Sequence, residues 1–398
     1  MNRKLDYGLF WAGQFTSRFG DAIFHIAVIW LALELTGSKS AMGLISMAGY
    51  LPALVFGLAA GAVADRVDRR RLMMASDVVQ GLAVLTIPAL HHFGVLQGWQ
   101  LGAAAFVVAT GAAFFSPARD SFLPMVSDPQ RLLRANSWMH VSGHVAWVLG
   151  PIVAGALITL VGTVHLFTLD AATFLISFIS LALLRVRPDA AGGAIARPSA
   201  WADVREGLVY AWGSRRLRGL LVMTALNNLI IMGPAVVGTP IFIKEELGGG
   251  ALDYAVLSSL LFAGMATCAL LMGKFGEGLP KGKTLLVGVI LDGLTFLPFA
   301  WCESFVSMGA LLYIHGLAVP LLVSSRPTIV QEHVPDALRG RVFSLIDLTV
   351  VGSTALSCGL TGIVAEAVSM RTIYLFIGVG GALCGIIGFS ARELARTR

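Results

Sequence analysis

Three polar residues with helical spacing lie inside the first long apolar segment of the chain. Arg18, Asp21 and His25 are three and four residues apart, so a helix would carry them on one face. An ionisable side chain at the centre of a membrane helix costs about 2.5–3.5 kcal/mol on insertion scales, and such residues usually face a water-filled cavity. Two interpretations stay open. Asp21 either gains and loses a proton as its cavity changes hydration, or forms a static ion pair with Arg18.

Further polar residues interrupt later apolar segments. Asp292 and Asp347 are additional candidates for carrying a proton. His140 and His144 share a helix face, but two histidines need further ligands to hold zinc, and the sequence brings none near them. We therefore expect no metal site. The candidates for lining a substrate cavity are His25, Asn227, Asn228, His144 and His315.

The chain lacks the residue groups that an enzyme or an ATP-driven pump requires. There is no clustered nucleophile and base, so we predict no catalytic residue. Gly282-Lys283-Thr284 resembles the end of a phosphate-binding loop, but the required earlier glycine is replaced by Glu277. We therefore expect no cofactor. A proton gradient would supply the energy, since one charge moved across 100 mV is worth about 2.3 kcal/mol.

The composition identifies the elements that must position these residues. Of 398 residues, 56% are hydrophobic and only 13% are charged. The apolar segments run for about 20 residues without the alternation of a β-barrel, so helices span the bilayer. We predict an all-α integral membrane protein with twelve spans, at 9–34, 40–64, 72–91, 98–117, 137–160, 166–184, 218–243, 252–273, 283–301, 305–325, 341–365 and 372–391.

Lysine and arginine are distributed very unevenly among the connections. Of the 29 such residues, all but four lie at the termini or in the even-numbered connections; the exceptions are Lys39, Lys244, Arg371 and, inside the first span, Arg18. Basic loops stay in the cytoplasm, so both termini are predicted to be cytoplasmic. The net charge of +6 is explained by this topology, and we expect no nucleic-acid partner. No cleavable signal peptide is expected either.

The chain divides into two similar halves. We predict an N-terminal six-helix half at 1–184, a cytoplasmic linker at 185–217 and a C-terminal six-helix half at 218–398. Proline and basic residues after the fourth span, at Pro117 and Arg119, recur after the tenth, at Arg326 and Pro327, as in a duplicated transporter. The linker carries Pro188, Gly192, Gly193 and Pro198, then an amphipathic stretch at 201–212 that forms either a surface helix or an extension of the next span.

The connection between the second and third spans carries the most specific motif. It combines Gly61, Asp65, Arg66, Arg69 and Arg70, and resembles motif A of the major facilitator superfamily. The resemblance implies a conformational latch that holds the two halves outward-open, with Asp77 as a further member. Asp68 replaces the usual glycine of the turn. Because aspartate adopts a positive φ less readily than glycine, we expect a less tight turn here. The alternative is an ordinary basic cytoplasmic loop.

The fifth span resembles motif C, the antiporter motif of proton-coupled exporters, at Gly150, Pro151 and Gly155. Together with Gly20-Asp21 and Arg339-Gly340-Arg341, these residues make the chain similar to the branch of the superfamily that includes macrolide-efflux proteins and enterobactin exporters. The resemblance implies proton-coupled efflux of amphipathic small molecules by alternating access. It also implies a monomer in the lipid bilayer of the bacterial inner membrane. A lysophospholipid translocator and an uptake symporter are the alternatives.

Overall fold

The computed structural model describes residues 3–185 and 200–397. The predicted linker residues Pro188, Gly192, Gly193 and Pro198 therefore lie outside the described residues. Within those residues every regular element is helical, and twelve helices are long and apolar enough to cross a membrane. The predicted fold class is confirmed.

Fifteen helices follow one another along the described residues. They are α1 Arg3–Thr36, α2 Lys39–Arg66, α3 Arg69–His92, α4 Gly98–Val126, α5 Leu132–Val161, α6 His165–Leu183, α7 Ala200–Gly213, α8 Arg215–Gly233, α9 Thr239–Glu245, α10 Ala251–Phe275, α11 Lys281–Leu294, α12 Phe305–His333, α13 Asp336–Ala367, α14 Met370–Gly388 and α15 Arg392–Ala395. A π-helical turn, Pro234–Gly238, joins α8 to α9, so these two elements form one span. A short 3₁₀ turn, Leu297–Trp301, completes the span that begins with α11.

Two helices extend beyond their predicted ends, past prolines near which the prediction ended them. The predicted fourth span stops at 117, but α4 continues through Pro117 and Pro124 to Val126. The predicted tenth span stops at 325, whereas α12 continues through Pro327 to His333. Proline removes one backbone hydrogen bond, but membrane helices tolerate it because neighbouring groups and local adjustments satisfy the freed carbonyl. Proline was therefore a poor end signal in this chain.

Helix contacts group the chain into two compact units. Unit 1 takes in Met1–Gly37 and Ala48–Ala200. In it α1 packs against α4, α5 and α6, and α3 packs against α4 and α6. An apolar cluster that includes Phe10, Met73 and Phe122 holds these helices together.

Unit 2 takes in Ser38–Met47 and Trp201–Arg398. Its central contacts join α10 to α12, α8 to α13, and α11 to both α12 and α14. The first residues of α2 belong to it because Glu366 accepts hydrogen bonds from the Ser38 hydroxyl at 2.8 Å and from the Ser40 amide at 2.9 Å. Sequence spacing gives no sign of this grouping.

The amphipathic stretch after the predicted linker forms a helix of its own. α7 ends at Gly213, and Ser214 caps α8 by accepting a hydrogen bond from the Leu217 amide. The stretch is therefore not an extension of the next span. Arg341 of α13 forms an ion pair with Glu206 at 2.8 Å, which fixes α7 against unit 2. Its location at a membrane surface stays a prediction.

Candidate functional site

A small polar cavity lies between the helices of unit 1. Its volume is about 50 Å³, and α1, α3, α4 and α6 all contribute to its walls. A single water needs about 10–15 Å³ by this measure, so the cavity has room for a few. The polar side chains of the wall are Gln14, Ser17, Arg18, Asp21, Asp77, Gln80, Ser116 and Arg119. Two carboxylates and two guanidinium groups therefore share one confined space.

Arg18 and Asp21 occupy this cavity together, as their helical spacing predicted. Asp21 interacts electrostatically with Arg18 and with Arg119 of α4. Arg119 is also paired with the neighbouring Asp120, whose Oδ1 lies 2.8 Å from Nη2. The contribution of Arg119 was missed, because only the packing of α1 against α4 brings it near Asp21.

The antiporter-like motif lies where α5 meets α1, next to Asp21. A Cβ atom added to Gly150 would lie 2.6 Å from Cβ of Ala22, so only glycine permits this approach. Gly143, two turns earlier on α5, leaves the same kind of space for the guanidinium of Arg18. Pro151 and Gly155 are buried on the same helix. This motif therefore sets the distance between α5 and the polar face of α1.

Asp77, which the sequence suggested as a latch residue, lies beside Asp21 in the wall of the cavity. It is 2% exposed and lines the cavity on α3, together with Asp21. Neither carboxylate oxygen has a partner with hydrogen-bond geometry, although Asp77 does interact with the nearby Ser177 hydroxyl. A buried carboxylate with incomplete hydrogen bonding is costly when ionised. Asp77 is thus a second candidate for binding a proton beside Asp21.

A third acidic residue of unit 1, Asp170, is buried within α6. α6 begins at His165, so Asp170 lies inside the helix, where it is fully buried. Its Oδ1 accepts a hydrogen bond from Thr173 at 3.3 Å, and the carboxylate interacts electrostatically with Asp21. Three carboxylates therefore influence one another in unit 1. The available signal was the same as for Asp21, namely an acidic residue within an apolar span.

The motif A connection is short and well defined. α2 ends at Arg66 and α3 begins at Arg69. Asp68 is the N-cap of α3: its φ is −58°, and its side chain accepts a hydrogen bond from the Arg71 amide at 2.9 Å. The turn needs no positive φ, so an aspartate fits here as well as the usual glycine.

The basic residues of this connection make contacts within unit 1. Arg70 donates to the carbonyl oxygen of Ala182 at 2.7 Å, at the C-terminal turn of α6, where a cation is favoured. Arg69 approaches the Met125 sulfur at 3.7 Å. Gly61 lies in the last turns of α2, and Asp65 and Arg66 are exposed there. The latch role of these residues stays a prediction.

Unit 2 holds a second polar cluster, which brings the proton-carrier candidate Asp292 together with the cavity candidates Asn227 and His315. Asn227 of α8 donates to Asp292 Oδ2 at 2.9 Å, and His315 Nε2 lies 3.7 Å from Asp292 Oδ1. Asn228, also buried, accepts from Thr354 at 3.5 Å. Asp347, by contrast, is exposed on α13 and interacts electrostatically with Arg326. The cluster therefore centres on Asp292.

The remaining histidine candidates do not join either cluster. His25 packs edge-on against Trp147, with ring centroids 5.4 Å apart, and His144 is exposed on α5. Among the described residues no group of three metal-ligating side chains comes together. His25 and His144 stay candidates for contacting a substrate.

The comparisons with known proteins decide the family. The Major Facilitator Superfamily profile matches residues 10–349 and 220–397. The chain belongs to the Major Facilitator Superfamily. Among solved structures of transporters, the nucleoside transporter NupG has a TM-score of 0.81 at 12% identity, over 99% of this chain and 100% of that one. A bacterial homologue of the iron transporter ferroportin has a TM-score of 0.77 at 14% identity, over 100% of both chains.

Curated relatives of this superfamily member include two kinds of efflux protein. Macrolide efflux protein A of Streptococcus pyogenes is 25% identical over 384 residues, which cover 95% of this chain and 93% of the relative. The multidrug efflux pump Tap of Mycolicibacterium fortuitum is 26% identical over 379 residues, which cover 94% and 92%. The protein is therefore a multi-pass membrane transporter of small molecules rather than an enzyme, and its relatives support efflux.

Proposed function

We propose that this transporter exports amphipathic small molecules in exchange for protons. The observation that carries the proposal is the unit 1 cavity, whose wall Asp21 and Asp77 share with Arg18 and Arg119. Guanidinium groups stay charged, so the net charge of this cavity changes only when a carboxylate binds or releases a proton. The cavity therefore has the chemistry of a proton site.

Two neighbouring carboxylates hold protons differently from one. Ionising both in a confined space is unfavourable, so the pair tends to retain one proton and titrates as a unit. A conformational change that alters hydration or moves Arg18 would change how tightly that proton is held. This links the protonation of Asp21 and Asp77 to the packing of α1 and α3 against α4 and α6. Proton-driven transport needs such a link.

The direction and the substrate class are inferred from relatives. Macrolide efflux protein A and Tap align with this chain over more than nine-tenths of its length. Because these relatives are a macrolide efflux protein and a multidrug efflux pump, we infer export, with macrolides as the model substrate class. We further propose that the transporter works as a monomer in the cytoplasmic membrane, by alternating access between its halves. In this proposal the protein needs no partner other than the lipid bilayer, and transport needs no cofactor.

The test is transport by purified protein in proteoliposomes, with radiolabelled erythromycin as the probe. We expect wild type to accumulate the probe only when a pH gradient is imposed. Asp21→Asn should abolish that uphill accumulation yet retain downhill counterflow, because the alternating helices stay intact. Asp336→Asn is the matched control, since that carboxylate is 88% exposed at the start of α13 and should behave as wild type.

Three outcomes would contradict the proposal. Uphill accumulation by Asp21→Asn would remove this residue from coupling. Movement of the probe together with protons would indicate an uptake symporter. Gradient-independent movement of labelled lysophosphatidylcholine, without movement of erythromycin, would indicate a lipid translocator.

A further inference from the structure

Unit 2 contains a buried aspartate–histidine pair that the proposed export mechanism does not use. Asp292 of α11 and His315 of α12 are each 4% exposed. The 3.7 Å between His315 Nε2 and Asp292 Oδ1 is an ion-pair distance, while Asn227 binds the other carboxylate oxygen. The carboxylate is thus held between an amide from α8 and an imidazole from α12.

Both ring nitrogens of His315 face polar groups. Nδ1 lies 2.8 Å from the Thr295 hydroxyl, which also reaches the Leu291 carbonyl oxygen at 2.8 Å. When this hydroxyl donates to Nδ1, the imidazole is neutral and Nε2–H faces Asp292. When the Thr295 hydroxyl donates to the Leu291 carbonyl instead, its oxygen can accept a hydrogen bond from Nδ1–H. Nε2 can then also carry a proton, which makes the ring an imidazolium. Rotation of one hydroxyl therefore suits both the neutral and the protonated ring.

Aromatic rings pack against one side of the pair. The centroid of the Phe296 ring lies 4.6 Å from that of His315 and 5.5 Å from that of Tyr374. In such surroundings an uncompensated charge is costly. Asp292 with a neutral imidazole carries one net negative charge, whereas Asp292 with an imidazolium carries none. Uptake of one proton neutralises the pair.

The helices packed around the pair leave its charge only partly compensated. Arg326 of α12 interacts electrostatically with Asp292, but also with Asp347 of α13. Further ionisable side chains lie on the packed helices, and of these the Tyr374 phenol of α14 stands behind Phe296. The membrane-embedded others include Tyr313 of α12, Cys384 of α14, and Tyr254 and Cys268 of α10. α15 packs near Gly282, about 15 Å along α11 from Asp292. One positive charge is thus shared between two carboxylates.

We propose that Asp292 and His315 form a second proton-binding site, located in unit 2 and separate from the cavity of unit 1. It takes up and releases a proton at the imidazole, with Thr295 as the hydrogen-bond partner that adjusts to either state. The proposal depends on the protein being a transporter of this superfamily, but not on Asp21 being the proton carrier.

The test observes the histidine directly and needs no substrate. Protein with ¹³Cε1-labelled histidine is reconstituted in lipid nanodiscs, and its NMR spectrum is followed between about pH 5 and pH 8, the range in which histidine changes charge. We expect one titrating resonance that is absent from His315→Gln. In Asp292→Asn its midpoint should move by about one pH unit or more, the effect of an opposite charge 4–6 Å away.

Matched variants keep this test decisive. Thr295→Val, which removes the partner of Nδ1, should also displace the midpoint, so the result does not rest on Asp292→Asn alone. His144→Gln should delete a different resonance, and Asp21→Asn should leave the His315 titration unchanged. A His315 signal that does not change with pH, or that titrates identically in Asp292→Asn and Thr295→Val, would overturn the proposal. Neither result depends on whether Asp21→Asn loses uphill transport.

Discussion

Asp77 of α3 and Asp21 of α1 line one cavity and interact electrostatically across it. Asp77 belongs by sequence to the neighbourhood of motif A, yet its carboxylate points to the residues proposed for proton coupling. This relationship connects the motif A helix with the site proposed for proton coupling. It also makes Asp77 testable apart from any role as a latch.

Asp77→Asn should abolish proton-driven accumulation of erythromycin in proteoliposomes to the same extent as Asp21→Asn. The double variant should be no worse than either single variant, because residues that hold one proton in common act as a unit. Thermal unfolding in detergent should show no loss of stability, since neither oxygen of Asp77 has a partner with hydrogen-bond geometry and an asparagine can keep the contact with the Ser177 hydroxyl. Normal uphill transport by Asp77→Asn would leave Asp21 as the sole carrier in this cavity.

Gly150→Val should weaken unit 1 by overpacking the contact between α5 and α1. A Cβ here would meet Ala22, and overpacking of this kind costs about 1–3 kcal/mol. The control is Gly57→Val, a helical glycine whose added Cβ would meet nothing within 4 Å. Thermal unfolding measures stability and erythromycin flux measures transport. Equal stability of the two variants would show that the close approach at Gly150 is unimportant.

Asp68→Ala should destabilise the start of α3 by about 1 kcal/mol, the usual effect of losing an N-cap. Asp68→Ser should retain most of the stability because a hydroxyl can accept the same amide hydrogen bond. Asp68→Gly should cost only a few tenths of a kcal/mol, which would explain how the usual motif A glycine serves the same turn. A thermal unfolding series of the three variants checks this order. If alanine proves as stable as serine, the hydrogen bond from Arg71 contributes nothing.

Reporter fusions should place the linker between the halves and the C-terminal end of the chain in the cytoplasm. The prediction rests on the distribution of lysine and arginine. Fusions at Gly193 and at Arg398, both outside the described residues, should report the cytoplasmic side, and a fusion at Gly98 should report the outer side. A cytoplasmic signal from Gly98 would reverse the topology of the first four spans.

Apolar length and charge distribution predicted the twelve spans, because the bilayer imposes these patterns on single helices. Helical spacing likewise brought Arg18 and Asp21 together. Contacts between helices carry no such local pattern. The pairing of Asp292 with His315 depends on how α11 packs against α12. The position of Asp77 beside Asp21 depends on how α3 packs against α4 and α6. The prolines in α4 and α12 failed as end signals because the rule for soluble helices does not hold inside a membrane.

The buried carboxylates of unit 1 constrain how the protein is made. α1 carries Arg18 and Asp21, α3 carries Asp77 and α6 carries fully buried Asp170. Each helix entering lipid alone would expose an ionisable group, at about 2.5–3.5 kcal/mol for a charge at the bilayer centre. This cost falls only when the helices meet. Since α6 is the last of them to be synthesised, the earlier helices are expected to wait beside the insertion machinery until α6 arrives and unit 1 can close.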